Sequence, residues 1–304
     1  MSPPRTQSDP RPVLVGGGSG RLGRLVVAGL LAQGVRVRVL SRQNTLAVHL
    51  AQAGVELSQG ELGEPDTLQR ALNGVRAAFL LSPISPDLAR HQRHFVQAAR
   101  QAGVPRLVKL SGSAWTLEPG RTWSGDAHRE VEQALADSGL PHAVLRPNAW
   151  AQVVLAPLAA ALRAGDVLGG GFGEAQVSYI DIRDIADVAV HTLLSPGALP
   201  STPLELTGPE ALSHAELAQR LSALSGRPIR WQAPAPAPVA PNPNYLQQVH
   251  AQFHHWISSG VAAPVTDTVA RTLGRPARRL DGPEGFLREL LSGASVAHTH
   301  TGLA

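Results

Sequence analysis

The side chains best equipped for chemistry crowd between positions 111 and 132. Ser111, Trp115, Trp123, Ser124, Asp126 and His128 stand close together in the chain, and Glu132 follows His128 by four positions. On a helix that spacing puts both side chains on one face, where the carboxylate would orient the imidazole. Ser111 and His128 are therefore the candidate catalytic pair. His128 would be either a proton donor or a hydrogen-bond partner to a bound molecule, and packing alone would also account for a single histidine. A tyrosine four residues ahead of a lysine, the arrangement in which the ammonium makes the phenol a proton donor, is absent. Neither Tyr179 nor Tyr245 has a lysine four residues on, and Lys109, the only lysine, has no such tyrosine before it. Chemistry that relies on that pair, such as sugar epimerisation and ordinary alcohol oxidation, is disfavoured.

An acid and a hydroxyl need a frame, and the frame begins at Val13-Leu14-Val15-Gly16-Gly17-Gly18-Ser19-Gly20-Arg21-Leu22-Gly23. Three aliphatics lead into a glycine cluster, and apolar residues resume at helical spacing through Leu25, Val26, Leu30 and Leu31. That order reads as buried strand, tight turn and helix. Gly17 lets the chain reverse, Gly20 lets a pyrophosphate approach the backbone, and Gly23 lets helix and strand pack closely. The phosphates would rest on the helix N-terminus. The strand before and the helix after are the context a dinucleotide site requires.

Further strands are expected at 35–40, 55–58, 75–81, 106–110 and 142–145. Helices between them fall at 46–53, 66–72, 88–101 and about 126–137. This alternation implies an α/β protein with a doubly wound parallel sheet, whose ligands sit beyond the carboxyl ends of the strands. After Arg146-Pro147 the rhythm changes to a helix over 153–163, a glycine loop over 169–173 and a strand over 176–180. A helix from Asp184, near its N-cap, to Leu194 follows, then a short strand over 204–206 and a helix over 214–225 with a Ser213/Glu216 capping box. Five prolines between 234 and 243 make an extended connector. Helices at 245–257, 266–273 and 284–291 complete the chain. The expected division is a disordered lead-in (1–11), a dinucleotide-binding domain (12–147, with 175–207 returning to it), a smaller and mainly helical cap (148–174 and 208–291) and a flexible tail (292–304).

Composition narrows the class. The 304 residues include no cysteine, so disulfides and thiolate chemistry are excluded. The net charge of +4 comes from arginines scattered among acids, which speaks against a nucleic-acid face. Residues 2–12 lack the apolar core of a signal peptide, and no apolar run reaches the length of a membrane span. A cytoplasmic protein without membrane contact is expected. His91 and His94, His254 and His255, and His298 and His300 lack partners at metal-ligand spacing, so no metal is expected. Asp181 and Asp184 read as a strand-end and a helix-cap residue.

The chain resembles the NmrA-like group of atypical short-chain dehydrogenase/reductases from about Val13 to Leu290. The resemblance is carried by the GGGSGRLG turn, Ser41-Arg42, Gly60-Glu61-Leu62, Phe79-Leu80-Leu81-Ser82-Pro83 and His128-Arg129-Glu130-Val131-Glu132 with Ser138-Gly139-Leu140. Leu145-Arg146-Pro147-Asn148, Asp181-Ile182-Arg183-Asp184-Ile185-Ala186 and Leu206-Thr207-Gly208-Pro209-Glu210-Ala211-Leu212 complete it. It is similar above all to the quinone oxidoreductase and triphenylmethane-dye reductase branch, which also carries a histidine in a His-x-x-x-Glu setting. The resemblance implies that Glu61 and Leu62 flank an adenine, although Asp-Leu is commoner in the family.

Cofactor choice is read at the end of the second strand. An NAD site places an acid there, whereas this chain offers Ser41-Arg42, whose guanidinium would pair with a 2′-phosphate. NADP(H) is therefore the expected cofactor, held by Gly17, Ser19, Gly20, Arg21, Leu22, Gly23, Ser41, Arg42, Glu61, Leu62, Ser82 and Pro83. The substrate is expected to be a small molecule met by Trp115, Asn148, Trp150 and Phe172. A planar electrophile such as a quinone, an azo compound or a cationic dye suits flat aromatic walls and demands little of an acid. The alternative is a nucleotide-sensing regulatory protein without turnover. A homodimer or a regulatory protein partner is compatible with either.

Overall fold

Residues 9–45, 48–233 and 242–293 are described in the computed structural model. Val13-Leu14-Val15 is wholly buried and forms the first strand, β1 (Val13–Val15). Alternating segments then give α1 (Arg21–Ala32), β2 (Val37–Ser41), α2 (Val48–Gln52), β3 (Glu56–Gln59), α3 (Pro65–Leu72), β4 (Ala77–Leu80) and α4 (Leu88–Gln101). β5 (Leu107–Leu110), α5 (Trp123–Ser138) and β6 (His142–Pro147) follow. The second half contributes α6 (Ala151–Val154), α7 (Leu158–Ala164), β7 (Val167–Gly169), α8 (Ile182–Leu194), β8 (Leu204–Leu206) and α9 (His214–Ser225). It ends with β9 (Arg230–Gln232), α10 (Tyr245–Ser258), α11 (Thr268–Leu273) and α12 (Phe286–Ser292).

Seven strands form one parallel sheet in the order β3-β2-β1-β4-β5-β6-β8. The chain runs outward from β1 to β3 and then crosses to β4. The order therefore reverses between β1 and β4, and a crevice opens beyond their carboxyl ends. Leu22, Val26 and Leu30 of α1 and Ile185 and Ala189 of α8 cover one face. Leu68 and Leu72 of α3, Phe95 of α4, and Val131 and Leu135 of α5 cover the other. The sheet is the expected doubly wound one.

A third apolar cluster joins Leu155, Leu158, Leu168, Leu217, Leu221, Ile257, Phe286 and Leu290 beside the sheet. Several local expectations fail here. The helix expected over 153–163 is two short helices, because Pro157 lacks the N–H that a continuous helix would use. The strand expected over 176–180 is not one. Val177 pairs with Leu212, Ser178 donates to Ala262 and Ile180 donates to Ala149, so no single neighbour supplies a ladder. α8 begins at Ile182 with Asp181 as its N-cap, not at Asp184. Asp184 is buried against Arg275 and Arg278. β7 and β9 pair with each other, a two-stranded ladder that the sequence does not announce. The Ser213 capping box forms as expected. Most of the proline-rich connector (234–241), most of the lead-in (1–8) and most of the tail (294–304) lie outside the described residues, as do the first two residues (46–47) of the expected second helix.

Candidate functional site

The glycine turn has the stereochemistry its spacing implies. Gly17 adopts φ +64°, the left-handed region in which side chains are strained. A Cβ on Gly18 would meet Val39 at 2.7 Å, and one on Gly23 would meet the Gly17 carbonyl oxygen at 2.1 Å. Gly20 caps α1 without a side chain, and its N–H donates to the Gly17 carbonyl at 3.0 Å. Ser19 is exposed and Leu22 is buried beneath the turn. The Arg21 guanidinium does not face the turn alone: it donates to the Gln152 carbonyl at 2.5 Å and so ties the turn to α6.

Beyond β2, the Ser41 hydroxyl accepts from the Gln43 N–H at 3.1 Å. Arg42 is exposed, and its guanidinium has no hydrogen bond or ion pair among the described residues. Arg36 and Arg38 of the same strand region are both spent on Glu56, at 2.5 and 3.0 Å. Gly60 donates to the Ser41 carbonyl, which brings Glu61 and Leu62 alongside the end of β2. Thr67 braces Glu61 through its backbone, while Leu62 packs on the core under α3. Beyond β4, the Ser82 hydroxyl accepts from Gln92 at 2.8 Å and Pro83 is exposed.

Beyond β5 lies a buried chain of polar groups that the sequence reading assembled incorrectly. Glu132 does not orient His128. Its carboxylate accepts from the Ser111 hydroxyl at 2.5 Å and from Arg146 of β6 at 2.5 and 3.2 Å. The partner of His128 is Lys109, whose Nζ lies 3.0 Å from Nδ1. Lys109 is fully buried and also donates to the Ser111 hydroxyl at 3.0 Å and to the Leu110 carbonyl at 3.3 Å. Three donors thus meet three acceptors. The carboxylate can only accept, so Ser111 gives its hydrogen to Glu132 and receives one from Lys109. An ammonium can only donate, so Nδ1 of His128 accepts and its hydrogen sits on Nε2. Nε2 has no partner among the described residues. The adjacent Cδ2 edge lies beside Gly112, where an added Cβ would approach it to 3.2 Å.

Desolvation governs the charges here. Burial brings Lys109 down to about 7, against an upward pull from Glu132 and a further downward push from Arg146. Burial first, and then the Lys109 charge, hold His128 well below the usual imidazole range, so its ring is neutral. Sequence reasoning dismissed Lys109 for want of a tyrosine. Its position two residues before Ser111 on a buried strand was the available signal.

Residues 10–259 match the NmrA-like family. The chain belongs to that family. It is 34% identical over 276 residues to an NAD(P)H azoreductase of Xenophilus azovorans, covering 88% of this chain and 94% of the relative. Among solved structures, it resembles the NADPH-dependent quinone oxidoreductase of Escherichia coli in complex with NADPH, with a TM-score of 0.79, 26% identity, and coverage of 93% of this chain and 99% of that one. The triphenylmethane reductase of Citrobacter sp. complexed with NADP(H) matches at a TM-score of 0.78 and 24% identity, with the same coverage, a likeness of fold.

Within this NmrA-like chain the expected substrate residues part company. Trp115 donates to Asn148 Oδ1 at 2.9 Å and meets Phe253 edge-on at 5.8 Å. Asn148 spends its amide on Ser178 and Ala262, at 2.7 and 2.8 Å, so both ends of its side chain are engaged inside the protein. Phe172 packs against His214 and His254, each at 5.4 Å, beside the same cap cluster as Trp115. Trp150 instead packs on the sheet cluster under α1 and α8. The helix expected at 245–257 forms as α10, but its side chains were not among the expected site residues: it supplies Phe253 and His254, and its Trp256 donates to the Arg121 carbonyl at 2.8 Å. Neither tyrosine bonds Lys109. Tyr179 is buried with its hydroxyl unpartnered among the described residues, and Tyr245 stacks on Trp123 at 5.7 Å.

The residues present fit a pyridine dinucleotide: a turn closed to side chains at Gly18 and Gly23, a helix end without a side-chain cap, and a guanidinium one strand away that is unpaired among the described residues.

Proposed function

We propose that this chain is an NADPH-dependent reductase that passes a hydride to a planar electrophile such as a quinone, an azo compound or a cationic dye. The observation that carries the cofactor choice is Arg42, an exposed guanidinium with no ion pair among the described residues, at the end of β2 where an NAD site would have an acid. Gly17, Ser19, Gly20, Arg21, Leu22 and Gly23 surround the pyrophosphate, Ser41 and Arg42 hold the 2′-phosphate, and Glu61 and Leu62 flank the adenine. Ser82 and Pro83 border the nicotinamide half. The bound nicotinamide supplies the hydride.

His128 offers Nε2–H as the proton donor, held in that tautomer by Lys109, with Ser111 as its neighbour in the network. Trp115 and Phe172 are the flat walls for the substrate, while Asn148 holds the cap in place and Trp150 packs on the sheet. The azoreductase relative and the quinone oxidoreductase likeness support the acceptor class. A sensing role without turnover rested on the missing Tyr–Lys pair, and the Lys109–His128 pair weakens that motive. Calorimetric titration with NADPH and NADH, followed by NADPH consumption against quinone, azo and dye acceptors, tests the reading. NADPH preference with turnover supports it, and binding of neither nucleotide refutes it.

A further inference from the structure

We propose that Lys109 is a positioning residue that fixes the proton of His128 on Nε2 and, when the substrate takes that proton, supplies one to Nδ1 so that the ring stays neutral. The proposal rests on the reductase reading above. It begins from a geometry that packing does not require: the only lysine of the chain is wholly buried, and all three of its hydrogens are directed at the Leu110 carbonyl, the Ser111 hydroxyl and His128 Nδ1. The charged groups linked to it come from α5, β6 and β8, while the paired strand β4 is wholly apolar. Glu132 of α5 accepts from Ser111, Arg146 of β6 clamps Glu132, and Glu205 of β8 lies 4.0 Å from Arg146. The path from Lys109 leads through the imidazole to Nε2, the nitrogen left without a partner among the described residues, beside Gly112.

The step balances. A quinone takes a hydride from the reduced nicotinamide, which becomes oxidised, and the developing oxyanion takes the Nε2 proton to give the hydroquinone. As Nε2 loses its proton, Nδ1 receives one from Lys109. The ring ends neutral in its other tautomer and the ammonium becomes an amine. Solvent returns one proton by the reverse route after product leaves. A triphenylmethane cation differs, because hydride alone yields its neutral product and no proton is consumed. The relay therefore matters for a quinone and has no task with the cationic dye.

Three readouts test this. In Lys109→Met the quinone-to-dye ratio of kcat falls about 100-fold, the scale of general acid catalysis; an unchanged ratio overturns the relay, because a merely structural loss would slow both acceptors alike. In the wild-type protein without nucleotide, nitrogen NMR of labelled histidine, with the His128 signal assigned by His128→Asn, shows the proton on Nε2, and a proton on Nδ1 overturns the proposal. In the wild-type enzyme a solvent deuterium effect on quinone reduction that is absent for the dye supports it, and equal effects on both refute it. Wild-type protein that binds NADPH and reduces neither acceptor refutes the reductase reading itself and the relay with it.

Discussion

Glu132 stands one helical turn beyond His128, yet it accepts its shortest hydroxyl contact from Ser111, the residue just after β5, at 2.5 Å. The carboxylate thereby ties α5 to β5 and, through Arg146, to β6. It also lies close enough to Lys109 to hold the ammonium on. Glu132→Gln removes that attraction, so Lys109 loses its proton at lower pH. The alkaline limb of the quinone kcat profile then moves to lower pH, and the fold loses about 1–3 kcal/mol because the part-buried Arg146 keeps only the distant Glu205 as an acidic partner. A pH–rate profile with an unmoved alkaline limb contradicts this.

On the proposed reading, Arg42 sets cofactor choice without serving the fold. Arg42→Ala weakens NADPH by about 10- to 100-fold, the worth of charge-assisted hydrogen bonds of ~1.5–3 kcal/mol, and leaves NADH nearly unchanged. Paired calorimetric titrations check the difference. Equal losses for the two nucleotides would show that the guanidinium does not meet the 2′-phosphate.

At Gly23 the constraint is steric rather than conformational. A methyl there would sit 2.1 Å from the Gly17 carbonyl oxygen, against backbone that cannot swing aside. Gly23→Ala is expected to destabilise the protein by about 1–3 kcal/mol and to abolish nucleotide binding together with it. Thermal melts with and without NADPH read both effects; a variant still stabilised by NADPH as the parent is would contradict the account.

Stability should vary with pH through Lys109. Its folded pKa, about 7, is below its ordinary 10.5, so between these values the unfolded chain binds more protons and stability rises with pH. Neutral His128 acts in the same sense lower down, costing stability as pH falls through about 6.5. Tyr179 works the other way above about pH 10, where burial delays its ionisation in the folded state. Urea unfolding should therefore show a gain from about pH 7.5 to about 9.5, at most ~1.4 kcal/mol per unit from this group, and Lys109→Met should lack it. The same gain in both proteins would rule out Lys109 as its source.

The sheet was legible because each buried strand is a short apolar run and each crossover helix has its own spacing, as in Val13-Leu14-Val15 and α1. The glycine turn was legible because its constraints are local. His128 and Ser111 were found by proximity in the chain, but their wiring was not, since Lys109, Glu132 and Arg146 meet only when β5, α5 and β6 are packed. The i,i+4 spacing showed which face Glu132 shares with His128 and could not show that a hydroxyl and a guanidinium on neighbouring strands compete for it. In the cap, Trp115 and Phe172 gather with α10 through contacts more than a hundred or about eighty residues away in the chain. Trp150, two residues beyond the Asn148 that Trp115 bonds, turns to the sheet instead.

The central claim is that this chain binds NADPH in preference to NADH and spends it on a planar acceptor. The most direct measurement follows NADPH absorbance in the presence of the protein and a naphthoquinone, alongside the same assay with NADH. The account predicts steady NADPH loss, faster than NADH loss at equal concentration, and slowed by Arg42→Ala. Protein that binds NADPH yet consumes none with quinone, azo compound or cationic dye would contradict it.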